Sequence, residues 1–219
     1  MQFILIALCA IFVGEFLYIE TKEKYVAALV FKGLASVCFV LIGILCEGEG
    51  IVAKILLHGL ALGCIADVLL NIRFIIKKKE LLFYLLGIAV FLAGHIVYLI
   101  AILKMSTNSI VCSIIGTILA VFLIRWIYKR ITTSRKIKIA GGFYLEAIML
   151  LNAASVGNVI ASPGSFTFVF ALGTFLFLIS DVLLILNTFG ADPKRSTRII
   201  HISLYYAGQV LIALSLMLI

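Results

Sequence analysis

Two aspartates interrupt otherwise apolar stretches, Asp67 in Ile65-Ala66-Asp67-Val68-Leu69-Leu70 and Asp181 in Ile179-Ser180-Asp181-Val182-Leu183-Leu184. An ionisable side chain at the centre of a membrane helix costs about 2.5–3.5 kcal/mol on insertion scales, which makes each a candidate for function. If the two meet in a water-poor cavity, desolvation and mutual repulsion leave one a neutral acid beside an ionised base. Such a pair can both give and take a proton. The structural alternative is that each aspartate serves as a hydrogen-bonding partner for Lys32, Asn71, Ser180 or a backbone group and fixes helix packing.

More polar residues fall at the same level. Counted from one end of the apolar runs that contain them, Lys32, Asp67, Glu146, Asp181 and Tyr205 all lie seven to nine residues in. At ~1.5 Å per helical residue, that is a layer roughly 10–14 Å deep. Asn71 is one turn from Asp67, and His201, Tyr205 and Gln209 share a face at intervals of four,. His95 and Tyr98 lie deeper. A polar cavity open toward one leaflet would satisfy the whole set. Metal ligation would require His58, His95 and His201 to converge, yet they start at different depths and lack zinc-helix spacing. Phosphate-binding glycine loops and a serine nucleophile elbow are absent.

The elements that must position these groups follow from composition. The 219 residues are 64% hydrophobic and 13% charged, with a mean hydropathy of +1.28, against roughly a quarter charged residues in a soluble domain. A polytopic all-α membrane bundle is expected, one integral membrane domain over 1–219. At ~20 residues per crossing there is room for eight spans, near 1–19, 24–46, 51–76, 80–103, 108–128, 138–160, 165–188 and 197–219. The first is read as a retained span, since it lacks a basic leader region and a clear cleavage site. Pro163 and Pro193 both fall between runs, where a missing N–H breaks no helix.

Basic residues concentrate in connections 1–2, 3–4, 5–6 and 7–8, whereas the opposite side has only Lys54 and Lys104. The positive-inside rule then puts those four connections in the cytoplasm and both termini outside. The net charge of +8 is accounted for by a basic rim facing anionic lipid, so membrane lipids and not nucleic acid are the expected partners. A bacterial inner membrane and the endoplasmic reticulum are both compatible. Cys9, Cys38, Cys46, Cys64 and Cys112 show no paired spacing and read as small hydrophobes.

An internal repeat is visible. The two aspartate motifs are offset by 114 residues (67 to 181), and Ala93-Gly94-His95 matches Ala207-Gly208-Gln209 at the same offset (95 to 209). Four crossings return the chain to its starting side, so spans one to four and five to eight are expected to be parallel halves.

In order along the chain, Gly63-Cys64-Ile65-Ala66-Asp67-Val68-Leu69-Leu70, Phe91-Leu92-Ala93-Gly94-His95-Ile96-Val97-Tyr98, Gly173 to Phe177 with Ser180-Asp181, and Tyr205-Tyr206-Ala207-Gly208-Gln209 resemble the signature of the lysoplasmalogenase, or YhhN, family. Lys32-Gly33 stands where that family usually has Lys-Pro, and Ala66 where it usually has Gly. The resemblance implies an eight-span enzyme that hydrolyses the vinyl ether bond of a lysophospholipid, releasing a fatty aldehyde and glycerophosphoethanolamine or glycerophosphocholine. It implies Asp67 and Asp181 as the acid and base pair, and no cofactor. Lys32 would bind the phosphate or pair with an aspartate. Asn71, Tyr205 and Gln209 would hold the glycerol or the water, His95 and Tyr98 would order the deeper wall, and Glu146 would assist or neutralise Lys32. From the residues alone a small proton- or cation-coupled transporter or channel using the same aspartates is the alternative.

Overall fold

The computed structural model describes all 219 residues as eight long helices: α1 Gln2–Glu20, α2 Tyr25–Leu45, α3 Ile51–Ile75, α4 Glu80–Lys104, α5 Ser109–Tyr128, α6 Arg135–Ala161, α7 Ser165–Phe189 and α8 Arg195–Ser215. All eight are long and apolar enough to cross a membrane. Most boundaries fall within a residue or two of the expected spans. Two differ by more: α6 begins three residues early because Ser134 caps it by accepting from the Ile137 N–H,, and α8 ends at Ser215, where a 3-10 turn, Leu216–Leu218, takes over. A short 3-10 turn, Lys77–Lys79, links α3 to α4. Gly50 precedes α3 with φ +115°, a left-handed value that a side chain would strain,. Pro163 and Pro193 lie in the connections, outside every helix.

The helices pack in antiparallel pairs, α1 on α2, α3 on α4, α5 on α6 and α7 on α8. The two halves join where α4 meets α6 and where α8 meets α2. These two contacts exchange when the first half is mapped on the second, as a pseudo-twofold axis along the helices requires. The 114-residue offset holds in detail: added to the bounds of α3 it gives those of α7, 165–189. It also maps the helix crossings. A Cβ on Gly94 would lie 3.4 Å from the Gly59 carbonyl oxygen, and at the equivalent positions a Cβ on Gly208 would lie 2.8 Å from that of Gly173. Both inner pairs therefore approach through facing glycines, which lets the backbones come close enough for van der Waals contact along the whole crossing.

One apolar core runs through all eight helices, from Phe16 and Phe39 through Leu60 and Ile148 to Phe177 and Ile212. Large apolar residues such as Phe3, Ile110, Phe122, Ile160 and Phe168 cover the outside, as lipid contact requires. The basic connections gather at one end, where Arg198 at the start of α8 pairs with Glu20 at the end of α1 and the Thr132 N–H donates to the Phe189 carbonyl at 2.9 Å. At the other end the Gly48 N–H donates to Leu216 at 3.1 Å. All five cysteines are free thiols.

Candidate functional site

A cavity of ≈ 1170 Å³, measured out to its mouth, runs inward from the basic end between the halves. Its rim includes Ile131 and Thr133 of the α5–α6 connection, and its inner wall includes Asp67 and Asp181. The wall is largely apolar, with acidic and basic groups set into it, as in small-molecule sites where a few polar groups fix orientation.

Asp67, 1% exposed, is held on both oxygens. Lys32 Nζ on α2 lies 3.1 Å from Oδ1. The Ser36 hydroxyl, one turn along the same face, donates to Oδ2 at 2.6 Å, and the Tyr205 hydroxyl on α8 donates to Oδ2 at 2.6 Å. Behind Tyr205 the donors line up: Tyr98 OH donates to Gln209 Oε1 at 3.2 Å, and Gln209 Nε2 donates to Tyr205 OH at 3.4 Å. Every hydrogen in that chain points toward Asp67, which orients Tyr205 and strengthens its bond to the carboxylate. Asn71 Nδ2 donates to the Asp67 backbone carbonyl at 2.9 Å and still faces the cavity. A cation and two hydroxyl donors form the environment of an ionised carboxylate.

Asp181, 4% exposed, is held differently. The Tyr144 hydroxyl on α6 donates to its Oδ2, and no Lys, Arg or His nitrogen lies within ion-pair distance. Ser180 beside it turns to α8 and donates to the His201 carbonyl at 2.7 Å. A carboxylate buried without a cation is costly, and the neutral acid avoids that cost. The two aspartates share a cavity wall but no hydrogen bond.

The repeat accounts for this inequality. Carried over by 114 residues, Tyr205 corresponds to Phe91, Ser36 to Leu150 and Lys32 to Glu146. The second half therefore has neither the phenol, nor the hydroxyl, nor the cation that hold Asp67. Tyr144, which corresponds to Val30, is what the second half has instead.

Of the residues singled out from the sequence, Lys32, Asp67, Asn71, Asp181 and Tyr205 line the cavity. Glu146 does not. It sits half-buried in a shallow surface depression with Ile139, Gly142 and Phe143, because depth along α6 is right but the direction around the helix is not; Tyr144, two residues earlier and ~200° away at 3.6 residues per turn, takes the inward position. Gln209 and Tyr98 act behind the wall through Tyr205. His95 is also behind it, its Nδ1 2.8 Å from the Phe91 carbonyl and its ring 4.7 Å from that of Phe177 and 5.2 Å from that of Tyr144. It thus buttresses Phe91 and Tyr144. His58, exposed, bonds to its own turn at the Lys54 carbonyl, and no three His, Cys, Asp or Glu side chains converge as metal ligands.

His201, which the sequence groups with Tyr205 and Gln209 but gives no role, also lines the cavity, and Ser36, Tyr144, Arg73, Tyr84 and Arg198 are site residues that the sequence reading does not assign. Ser36 was findable, standing one turn from Lys32. The charge pattern marks Arg73 and Arg198 only as basic rim, although both line the cavity.

Among curated proteins and among solved structures no significant match was found. The model of the YhhN family matches residues 27–216, a stretch that contains α3 to α8 whole and both aspartates with the partners that distinguish them, and the chain belongs to that family.

Proposed function

We propose that this protein is a membrane hydrolase that cleaves the vinyl ether bond of a lysoplasmalogen, yielding a fatty aldehyde and the glycerophospho-headgroup. The observation that carries the reading is the unequal holding of two buried aspartates on one cavity wall, which supplies an acid and a base. Family membership supports the reaction class.

The chemistry divides between the two. Asp181 gives its proton to the alkene carbon remote from the ether oxygen, and the adjacent carbon becomes an oxocarbenium ion. Asp67, kept ionised by Lys32 and its hydroxyl donors, stabilises that cation and takes a proton from the water that adds to it. The hemiacetal then collapses. Its hydroxyl proton returns to Asp181, the proton on Asp67 passes to the departing glycerol oxygen, and both groups regain their starting states. Asn71, Ser36 and Tyr205 orient the water and the carboxylate, Gln209 and Tyr98 hold Tyr205, and His95 steadies the wall. The alkenyl chain lies along the apolar part of the cavity. No cofactor enters this sequence. The basic end is assigned to the cytoplasm and both termini to the other side, because Lys and Arg in short connections favour that orientation.

The test is aldehyde release from 1-alkenyl lysophosphatidylethanolamine and its choline analogue by purified protein, with Asp67→Asn and Asp181→Asn compared at matched folding. Activity in the wild type and its loss in both variants is expected. A folded wild type that releases no aldehyde from either lipid overturns the assignment, and proton or cation flux in liposomes would then move the aspartates to transport.

A further inference from the structure

Four buried side-chain atoms in the molecule lack a hydrogen-bond partner: Arg73 Nε, His201 Nε2, and the amide oxygens of Asn152 and Asn158. The two nitrogens both belong to residues of the one cavity. The two oxygens lie on α6, beyond its cavity-lining residues. Leaving a buried donor unmade costs about 1–3 kcal/mol, more for a charged group, so two of them on one wall point to an acceptor that is part of a ligand.

The surroundings say what kind of acceptor. The guanidinium carbon of Arg73 lies over two rings, 4.6 Å from the centroids of both Phe74 and Tyr84. Stacking on aromatic faces holds the guanidinium and leaves an N–H edge for hydrogen bonding. Arg198, three residues before His201 on α8 and on the same face, adds a second guanidinium to the wall, and Lys138 of α6 a third cation. Lys32 is engaged by Asp67 and Arg198 by Glu20, whereas neither Arg73 nor Lys138 has an acidic partner. A guanidinium with its Nε–H unmade, an imidazole N–H and unpaired positive charge together suit a phosphate diester, which accepts several hydrogen bonds and carries one negative charge.

We infer that the outer part of the cavity is a phosphodiester site in which Arg73 and His201 donate to the phosphate of a lysophospholipid headgroup and Lys138 balances its charge. This deepens the hydrolase reading by naming what anchors the substrate: the phosphate sits toward the basic end, and the glycerol and its ether-linked chain run inward past Asp67 and Asp181. It also replaces Lys32, which is committed to Asp67, as the phosphate ligand. His201 serves here as the tautomer that carries hydrogen on Nε2.

Binding separates this inference from the reaction. A saturated 1-alkyl lysophosphatidylethanolamine, which contains no vinyl ether to cleave, and the matching 1-alkylglycerol, which contains no phosphate, are titrated against the full chain in detergent by microscale thermophoresis. The wild type is expected to prefer the phospholipid by tenfold or more, and Arg73→Gln and His201→Leu each to lose about tenfold for the phospholipid and nothing for the alkylglycerol. Retained alkylglycerol binding reports that the variants are folded, and the wild-type preference needs no variant at all. Equal affinity of the wild type for the two lipids overturns the site, as does undiminished phospholipid binding in both folded variants. Displacement of the lipid by inorganic phosphate at equal concentration would make the site one for free phosphate and likewise overturn it. Intact headgroup preference without aldehyde release from the vinyl ether substrate would instead sink the hydrolase and leave the site standing.

Discussion

Lys32 and Glu146 occupy equivalent positions in the two halves of the bundle, yet Lys32 Nζ lies 3.1 Å from Asp67 while Glu146 turns to the surface beside Ile139 and Phe143. The repeat thus preserves the aspartates and changes their company. Removing one member of a buried ion pair costs about 3–5 kcal/mol. Lys32 keeps 14% of its side chain exposed, so Lys32→Met is expected at the lower end of that range, with aldehyde release down tenfold or more. Glu146→Gln should stay within about 0.5 kcal/mol of wild type and keep its activity. Thermal unfolding in detergent and the aldehyde assay read both. Equal effects at the two positions would contradict the asymmetry.

Tyr144→Phe and Tyr205→Phe each delete one hydroxyl and little volume. The first leaves Asp181 with no hydrogen-bond donor, and the second leaves Asp67 with Lys32 and Ser36 but strands Gln209 Nε2. Each is expected to cost about 1–3 kcal/mol of stability. Turnover should fall about tenfold in both, with substrate KM little changed, because neither phenol belongs to the phosphate site. A change in KM alone would remove both tyrosines from the chemistry.

Much of this site was legible in the sequence. Spans, parallel halves and the depth of Lys32, Asp67, Asp181 and Tyr205 follow from hydropathy, an offset and a rise per residue. What depth cannot give is the direction around a helix, and α6 shows why that matters. Its buried side includes polar Tyr144, Asn152, Ser155 and Asn158, while Glu146 reaches outward, so polarity does not mark the inward face. The acceptor of Ser36 was equally out of reach, since a serine in an apolar helix can instead donate to the preceding turn, and the Lys32 carbonyl lies only 3.0 Å from the Ser36 hydroxyl. Arg73 and Arg198 fit two roles, topology signal and cavity wall, and charge counting registers only the first.

The facing glycines provide a test of the architecture apart from any chemistry. A methyl on Gly208 would meet the Gly173 carbonyl at 2.8 Å and the Phe177 backbone nitrogen at 3.2 Å, neither of which can rotate away. Gly208→Ala is expected to lose about 1–3 kcal/mol by overpacking. Gly14, with nothing within 4 Å of its would-be Cβ, should instead tolerate Gly14→Ala or gain up to about 1 kcal/mol from helix propensity. Unfolding temperatures of the two variants in one detergent compare them directly, and a stable Gly208→Ala would mean that the α7–α8 crossing is looser than described.

Phe91→Tyr puts the repeat argument itself at risk. Phe91 stands where Tyr205 stands in the other half, lines the cavity, and has its ring 5.9 Å from that of Tyr205 and 6.5 Å from that of Tyr144. Under the pseudo-twofold a hydroxyl there would address Asp181 as Tyr205 addresses Asp67, giving it a second donor of the kind that favours a carboxylate. The acid would then resemble the base. Turnover is expected to drop by roughly tenfold, about 1.4 kcal/mol in barrier, with the fold intact and binding of the saturated alkyl lysophospholipid unchanged. The double variant Phe91→Tyr with Tyr144→Phe exchanges one donor for another and should recover part of the loss. If Phe91→Tyr is fully active, the neutrality of Asp181 does not depend on its lack of donors, and the division of labour between the two aspartates fails with it.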